Sequence, residues 1–233
     1  KGSFELLSQG LSLREIDLTL RSDAAQDKIS LQGSALAGEG QVDLSGELDL
    51  RDSLPKLELS LDANNATLLS TPEIKALADT DLVLSMEENV LTLSGGVTIR
   101  QADIKLGLAP GVIAESPDVL FEDAAVKTPS TRFFMDLDLD LGPDTRLSAS
   151  GLTGRLTGNP RLSIKADGQL TSVGDIQLVG GKFSILGEQL SVDKGVASYV
   201  GGDISNPRLS AEVVRNLEGV RAGIMINGNA DSP

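Results

Sequence analysis

The 233-residue sequence has no cysteine, no histidine and no tryptophan, and its aromatic content is only 3%. Without cysteine there are no disulfides, no thiol nucleophiles and no thiolate metal ligands. Without histidine there is no imidazole base, so a Ser-His-Asp arrangement cannot be built and zinc loses its nitrogen ligands too. Missing tryptophan removes the sugar-stacking platforms of a glycosidase and leaves a carboxylate pair such as Asp118 and Glu122 a poor acid–base candidate. No run of 18 apolar residues occurs, so the sequence offers no transmembrane helix, and no secretory signal opens it. A first residue of lysine rather than methionine points to a piece cut from a longer protein. Positive charge is also scarce: 20 Lys and Arg stand against 34 Asp and Glu, a net charge of -14. Nucleic acid and anionic lipid surfaces would repel such a chain. The acidity fits solubility and the protection of strand edges against stray pairing. No enzyme class is suggested, and no cofactor is expected.

What remains is aliphatic. Hydrophobic residues make up 40%, almost all Leu, Val, Ile and Ala, and they alternate with polar residues at period two, the signature of strands with one apolar face. Val42, Leu44 and Leu48 alternate with Asp43, Ser45, Glu47 and Asp49. Leu57, Leu59 and Leu61 stand opposite Glu58, Ser60 and Asp62. The regular run Met135, Leu137, Leu139 and Leu141 alternates with Asp136, Asp138 and Asp140. Runs of this kind predict roughly fourteen to sixteen strands. The carboxylates Asp136, Asp138 and Asp140 are read as a solvated face, since next-but-one residues on a strand lie about 6.6 Å apart, too far to share one calcium ion. Gly180-Gly181 and Gly201-Gly202 read as turns or bulges, with neither helix nor P-loop lysine following. A short helix is expected over Thr71–Asp79, with Pro72 at its first position.

The predicted fold is all-β: one long curved amphipathic sheet forming an open trough with an aliphatic interior. The alternative is a sandwich or barrel with a dry core. A closed barrel of so many strands would be too wide for Leu and Val side chains to fill, which favours the trough. Residues 1–109 form its N-terminal part and 132–233 its C-terminal part, in one continuous domain. Between them, residues 110–131, with Pro110, Pro117 and Pro129, form a long loop or a lid. An open aliphatic surface is unstable unless something apolar occupies it, and fourteen strands would span roughly 65 Å in the stacking direction. The expected contacts for acyl chains are Val42, Leu44, Leu48, Leu57, Leu59, Leu61, Leu91, Leu93, Val97, Ile99, Met135, Leu137, Leu139, Leu147, Ile164, Ile176, Leu178, Val192, Ile224 and Ile226.

From about Gly95 to Pro233 a series of landmarks occurs in fixed order. It begins Gly95-Gly96-Val97-Thr98-Ile99, Ser116-Pro117-Asp118-Val119 and Leu139-Asp140-Leu141-Gly142. It continues through Gly154-Arg155-Leu156-Thr157-Gly158, Gly174-Asp175-Ile176 and Gly181-Lys182-Phe183-Ser184-Ile185-Leu186-Gly187. Asn206-Pro207, Arg215, Ala222-Gly223-Ile224 and Gly228 close it. This series resembles the C-terminal domain of the TamB family; the first 90 residues match only in style. The resemblance implies a periplasmic location, as part of a protein anchored in the inner membrane of a Gram-negative bacterium, and a hydrophobic groove. It implies an outer-membrane partner, the barrel protein TamA, and phospholipid acyl chains as ligand. It also admits a second role, in which an open sheet edge receives strands of outer-membrane protein clients. A structural β domain of a surface protein, with a dry core, is a third reading.

Overall fold

The computed structural model describes residues 2–6, 10–23, 25–51, 54–106, 131–185, 187–217 and 220–232. Fourteen strands account for most of them: β1 (Gly2–Leu6), β2 (Leu11–Asp23), β3 (Lys28–Ala37), β4 (Gly40–Asp49), β5 (Lys56–Ser70), β6 (Ile74–Glu87), β7 (Val90–Leu106), β8 (Arg132–Ala149), β9 (Leu152–Gly158), β10 (Arg161–Ile164), β11 (Leu170–Ile185), β12 (Glu188–Asp203), β13 (Arg208–Leu217) and β14 (Val220–Asn229). All fourteen belong to one sheet, whose neighbours follow chain order. No helix occurs among the described residues. The all-β reading as one long sheet therefore holds. The loop expected over Pro110–Pro129, and its role as a lid, lie outside the described residues.

Strand length follows from the unbroken alternation. In β4 exposed and half-buried residues alternate almost without fault, with Gln41, Asp43, Ser45 and Glu47 exposed and Val42, Leu44, Gly46 and Leu48 half-buried. Most neighbours are antiparallel, but β7 and β8 pair in parallel over their whole length. Strands β9 and β10 lie end to end between β8 and β11. The break at Asn159-Pro160 has a simple cause: proline has no N–H to give the ladder. The Pro160 carbonyl still accepts from the Leu139 N–H at 3.0 Å.

The helix expected over Thr71–Asp79 is absent. Thr71, Pro72 and Glu73 make the β5–β6 turn, where the Thr71 hydroxyl accepts from the Ile74 N–H at 3.0 Å. From Ile74 onward the chain is strand, paired on both sides. The Ala-rich stretch has good helix propensity, but its alternation puts Ala76, Ala78 and Thr80 on one buried face between β5 and β7. Tertiary pairing overrides propensity here.

Burial is unusual for a chain this size. Among the described residues, the buried hydrophobics are Ala37, Ala63, Ala66, Ala76, Ala78, Ala102, Val192, Val213 and Val214, with no leucine, isoleucine or phenylalanine. One cluster joins Ala37, Ala63 and Ala66 with Leu13, Val42 and Leu68 packed around it. There the sheet comes back on itself: β2 and β5, which are not ladder neighbours, touch. Gly10, with φ 61°, sits where a Cβ would run into the Ser70 carbonyl. Elsewhere the leucines stay half-buried or, like Leu18 and Leu20, exposed, as one layer of strands cannot cover them.

Candidate functional site

Residues paired across a ladder share a face, so the register shows which side chains lie together. Leu48, Leu57, Met86, Leu91 and Phe133 form one row across β4 to β8. Gly46, Leu59, Leu84, Leu93, Met135 and Ile164 form the next, reaching β10. Leu44, Leu61, Leu82, Gly95, Leu137 and Leu162 follow, then Val42, Ala63, Thr80, Val97 and Leu139. A fifth row, Ala78, Ile99, Leu141, Gly158, Ile176, Ala197 and Leu209, runs from β6 to β13. One largely apolar face therefore runs from β4 to β13, carrying only the buried hydroxyls of Thr80, Thr145 and Ser172 among its aliphatic side chains, and bulges preserve it. Where β7 pairs with β8 the register slips between Ile99 and Gln101, and the slip returns Ala102 to burial while Gln101 stays exposed.

The opposite face cannot take a second apolar layer. Asp43 stands opposite Asp62, and Asp62 opposite Asp81. Like charges side by side repel, and covering them would strip their hydration. Farther along, Arg161 donates to both carboxylate oxygens of Asp138 at 2.7 and 2.9 Å. The guanidinium holds the Asp138 carboxyl below the ordinary range. Asp136, Asp138 and Asp140 are all exposed, as a solvated strand face requires.

In the C-terminal strands the apolar face lines a half-open cavity of about 380 Å³. Leu147 comes from β8, Leu152 and Leu156 from β9, and Ile176, Leu178 and Phe183 from β11. Val192, Gly195, Val196 and Ala197 of β12, Leu209, Ala211 and Val213 of β13 and Ile226 of β14 complete it. Every lining residue is Leu, Ile, Val, Phe, Ala or Gly. No side chain in the wall can donate or accept a hydrogen bond, and the backbone groups of these strands are engaged in the ladders except along the outer edge of β14, which pairs only with β13 among the described strands. The volume lies toward the lower end of ligand cavities, roughly 300–1,000 Å³. Nearby, Tyr199 of β12 is half-buried opposite Gly174, and desolvation pushes its hydroxyl above the usual phenol range.

Of the contacts expected from sequence, Leu147, Ile176, Leu178, Val192 and Ile226 meet at this cavity. Val42, Leu44, Leu48, Leu57, Leu59, Leu61, Leu91, Leu93, Val97, Ile99, Met135, Leu137, Leu139 and Ile164 share the apolar face but line other parts of it. Ile224, opposite Val213 on the last strand, is 63% exposed. The selection of contacts left out Leu152, Leu156, Phe183, Val196, Ala197, Leu209, Ala211 and Val213. Their alternation was legible; what marks them is the register, which sets six strands, β8, β9 and β11 to β14, around one space. Gly180-Gly181 is a bulge, where pairing with β9 slips between Val179 and Lys182 and Gly180 has φ 63°.

Comparison with known proteins places this sheet. The chain is 29% identical over 251 aligned residues to the translocation and assembly module subunit TamB of Haemophilus influenzae, an alignment covering 98% of this chain and 19% of that protein. The chain thus spans about a fifth of the length of this curated relative. The family described as TamB C-terminal domain matches residues 29–233, from the start of β3 to the end of the chain. By this match over most of its length, the chain belongs to the TamB family.

Proposed function

We propose that this chain is a segment of a periplasmic lipid-transfer conduit, in which the apolar face forms an open trough for phospholipid acyl chains. The observation that carries the reading is the chemistry of the cavity wall, which offers no hydrogen-bonding side chain at all. A peptide strand laid there would leave its N–H and C=O groups unpaired, at a cost of roughly 1–3 kcal/mol each. An alkyl chain has no such groups, and each Å² it buries contributes about 25 cal/mol. Rows of half-buried leucine from β4 to β10 extend the same surface beyond the cavity, so a chain could pass from place to place meeting no charged group and only the hydroxyls of Thr80, Thr145 and Ser172. Weak, repeated contact of this kind suits movement better than capture.

Family membership supplies the setting. The Haemophilus relative is named as a subunit of a translocation and assembly module, and by extension this chain works as part of such a module. The longer protein would be anchored in the inner membrane and would meet the outer-membrane barrel protein TamA. A second reading is favoured by the free edge of β14, which pairs only with β13 among the described strands and exposes Met225 to 75%. Such an edge can accept a strand of an outer-membrane protein client by augmentation.

The deciding experiment extracts the purified chain with organic solvent and measures lipid by mass spectrometry against a mock preparation. Phospholipid near one molecule per chain, lost in Leu156→Arg while folding persists, is the expected result. A stably folded chain free of lipid would overturn the conduit reading and leave strand augmentation.

A further inference from the structure

Leu178 enters the cavity from an unusual floor. Gly154 of β9, Gly181 of β11 and Gly195 of β12 surround it, and an ideal Cβ built on each would lie 2.6, 2.7 and 3.0 Å from a Leu178 atom, against 3.4–4 Å for ordinary contact. None of the three has a positive φ, so their backbones do not demand glycine. At Gly154 and Gly195 the nearest atom is Leu178 itself, and at Gly181 Leu178 shares the space with Val192. Glycine on three adjacent strands thus lets one leucine lie low against the sheet, and the volume above it is the cavity. A methyl group on this floor would lift Leu178 into that volume. Truncating the leucine to alanine would deepen it by the space of the three carbons beyond Cβ, added to the 380 Å³ present.

We propose that Leu178, seated on this glycine floor, is the gauge of the half-open cavity: it fixes a depth that admits a single unbranched aliphatic chain and turns away bulkier apolar groups such as fused rings. The proposal rests on the reading that the cavity takes acyl chains, and it adds the residue that sets their width.

The test uses the whole chain with two photoactivatable probes, a 16-carbon fatty acid bearing a mid-chain diazirine and a sterol bearing a diazirine on its ring system. Labelled peptides are located by mass spectrometry. Wild type should label in β9, β11 and β12 with the fatty acid and not with the sterol. Leu178→Ala should accept both. Gly154→Ala should lose fatty-acid labelling in these strands at least fivefold while labelling in β4 to β7 is unchanged. The double variant Gly154→Ala with Leu178→Ala should recover most of it, because the two closest approaches go with Leu178 and only that to the Gly181 Cα at 3.2 Å remains, and a merely structural role for Gly154 would give no such rescue. If Leu178→Ala still refuses the sterol, or wild type accepts it, the gauge is overturned while the conduit stands. If neither probe labels the cavity strands of wild type, both readings fall. Should Gly154→Ala not fold, the Leu178→Ala arm decides alone, since it adds no atom to the structure.

Discussion

Two parts of the same apolar face have opposite fates. In β3, β5 and β6 the face narrows to Ala37, Ala63, Ala66, Ala76 and Ala78, all buried, with β2 brought against β5. In β9 to β14 it widens to leucine, isoleucine, valine and phenylalanine around an empty volume. Both obey the same alternation and differ in side-chain size. Alanine lets backbones approach until the space is filled; leucine and phenylalanine hold the strands apart. One part is a small packed core and the other surrounds open space, so the fold separates a filled from an unfilled region along one sheet.

The largest effect should come from overfilling the packed part. Ala66→Leu, at a position with 0% exposure, should destabilise by about 3 kcal/mol, the upper end for overpacking, read as a fall in the urea midpoint. A wild-type midpoint would mean the alanine cluster is not close-packed, and the contrast would collapse. Next, Leu156→Ala in the cavity wall should cost only about 1.5 kcal/mol, below the roughly 2–5 kcal/mol of a packed interior, because Leu156 is half-buried and already borders open space. A loss above about 3 kcal/mol would show that the wall is itself core.

A smaller change of opposite sign is expected at Thr145, whose hydroxyl is buried without a hydrogen-bond partner at 0% exposure. Thr145 stands opposite Ala102 in the packed part. Thr145→Val keeps the shape and removes the stranded hydroxyl, so stability should rise by about 1 kcal/mol; a fall would reveal a hidden partner. The smallest effect concerns Asp79, which accepts from Arg100 at 2.6 Å and from the Asn65 N–H at 2.8 Å, interactions that hold its carboxyl below the ordinary range. Because the folded value is depressed, the stabilisation is complete above the unfolded carboxylate range near pH 4 and is lost as pH falls through the lowered value. Arg100→Gln should thus lower the urea midpoint slightly at pH 7, and the gap to wild type should close on acidification. A gap that persists in strong acid would assign the effect to packing of the Arg100 stem.

Much of this was legible in the residues. Leu57, Leu59 and Leu61 against Glu58, Ser60 and Asp62 announce a half-buried strand, and Asp136, Asp138 and Asp140 announce its solvent face. Two things were not legible. The stretch after Thr71 carries alanines that suit a helix as well as a strand, and only pairing with β5 and β7 decides between them. The cavity wall was missed at Leu152, Leu156, Phe183 and Leu209 because alternation shows which residues share a face but not which strands stand around one space.

By itself the sequence determined an all-β chain with one aliphatic and one acidic face, and it excluded thiol and imidazole chemistry, because these follow from residue type and period alone. Only the tertiary structure decided where the aliphatic face is filled and where it is empty. That depends on register, on bulges such as those at Ile99 and Gly180, and on how closely backbones approach, all of which are set by strands distant in the chain.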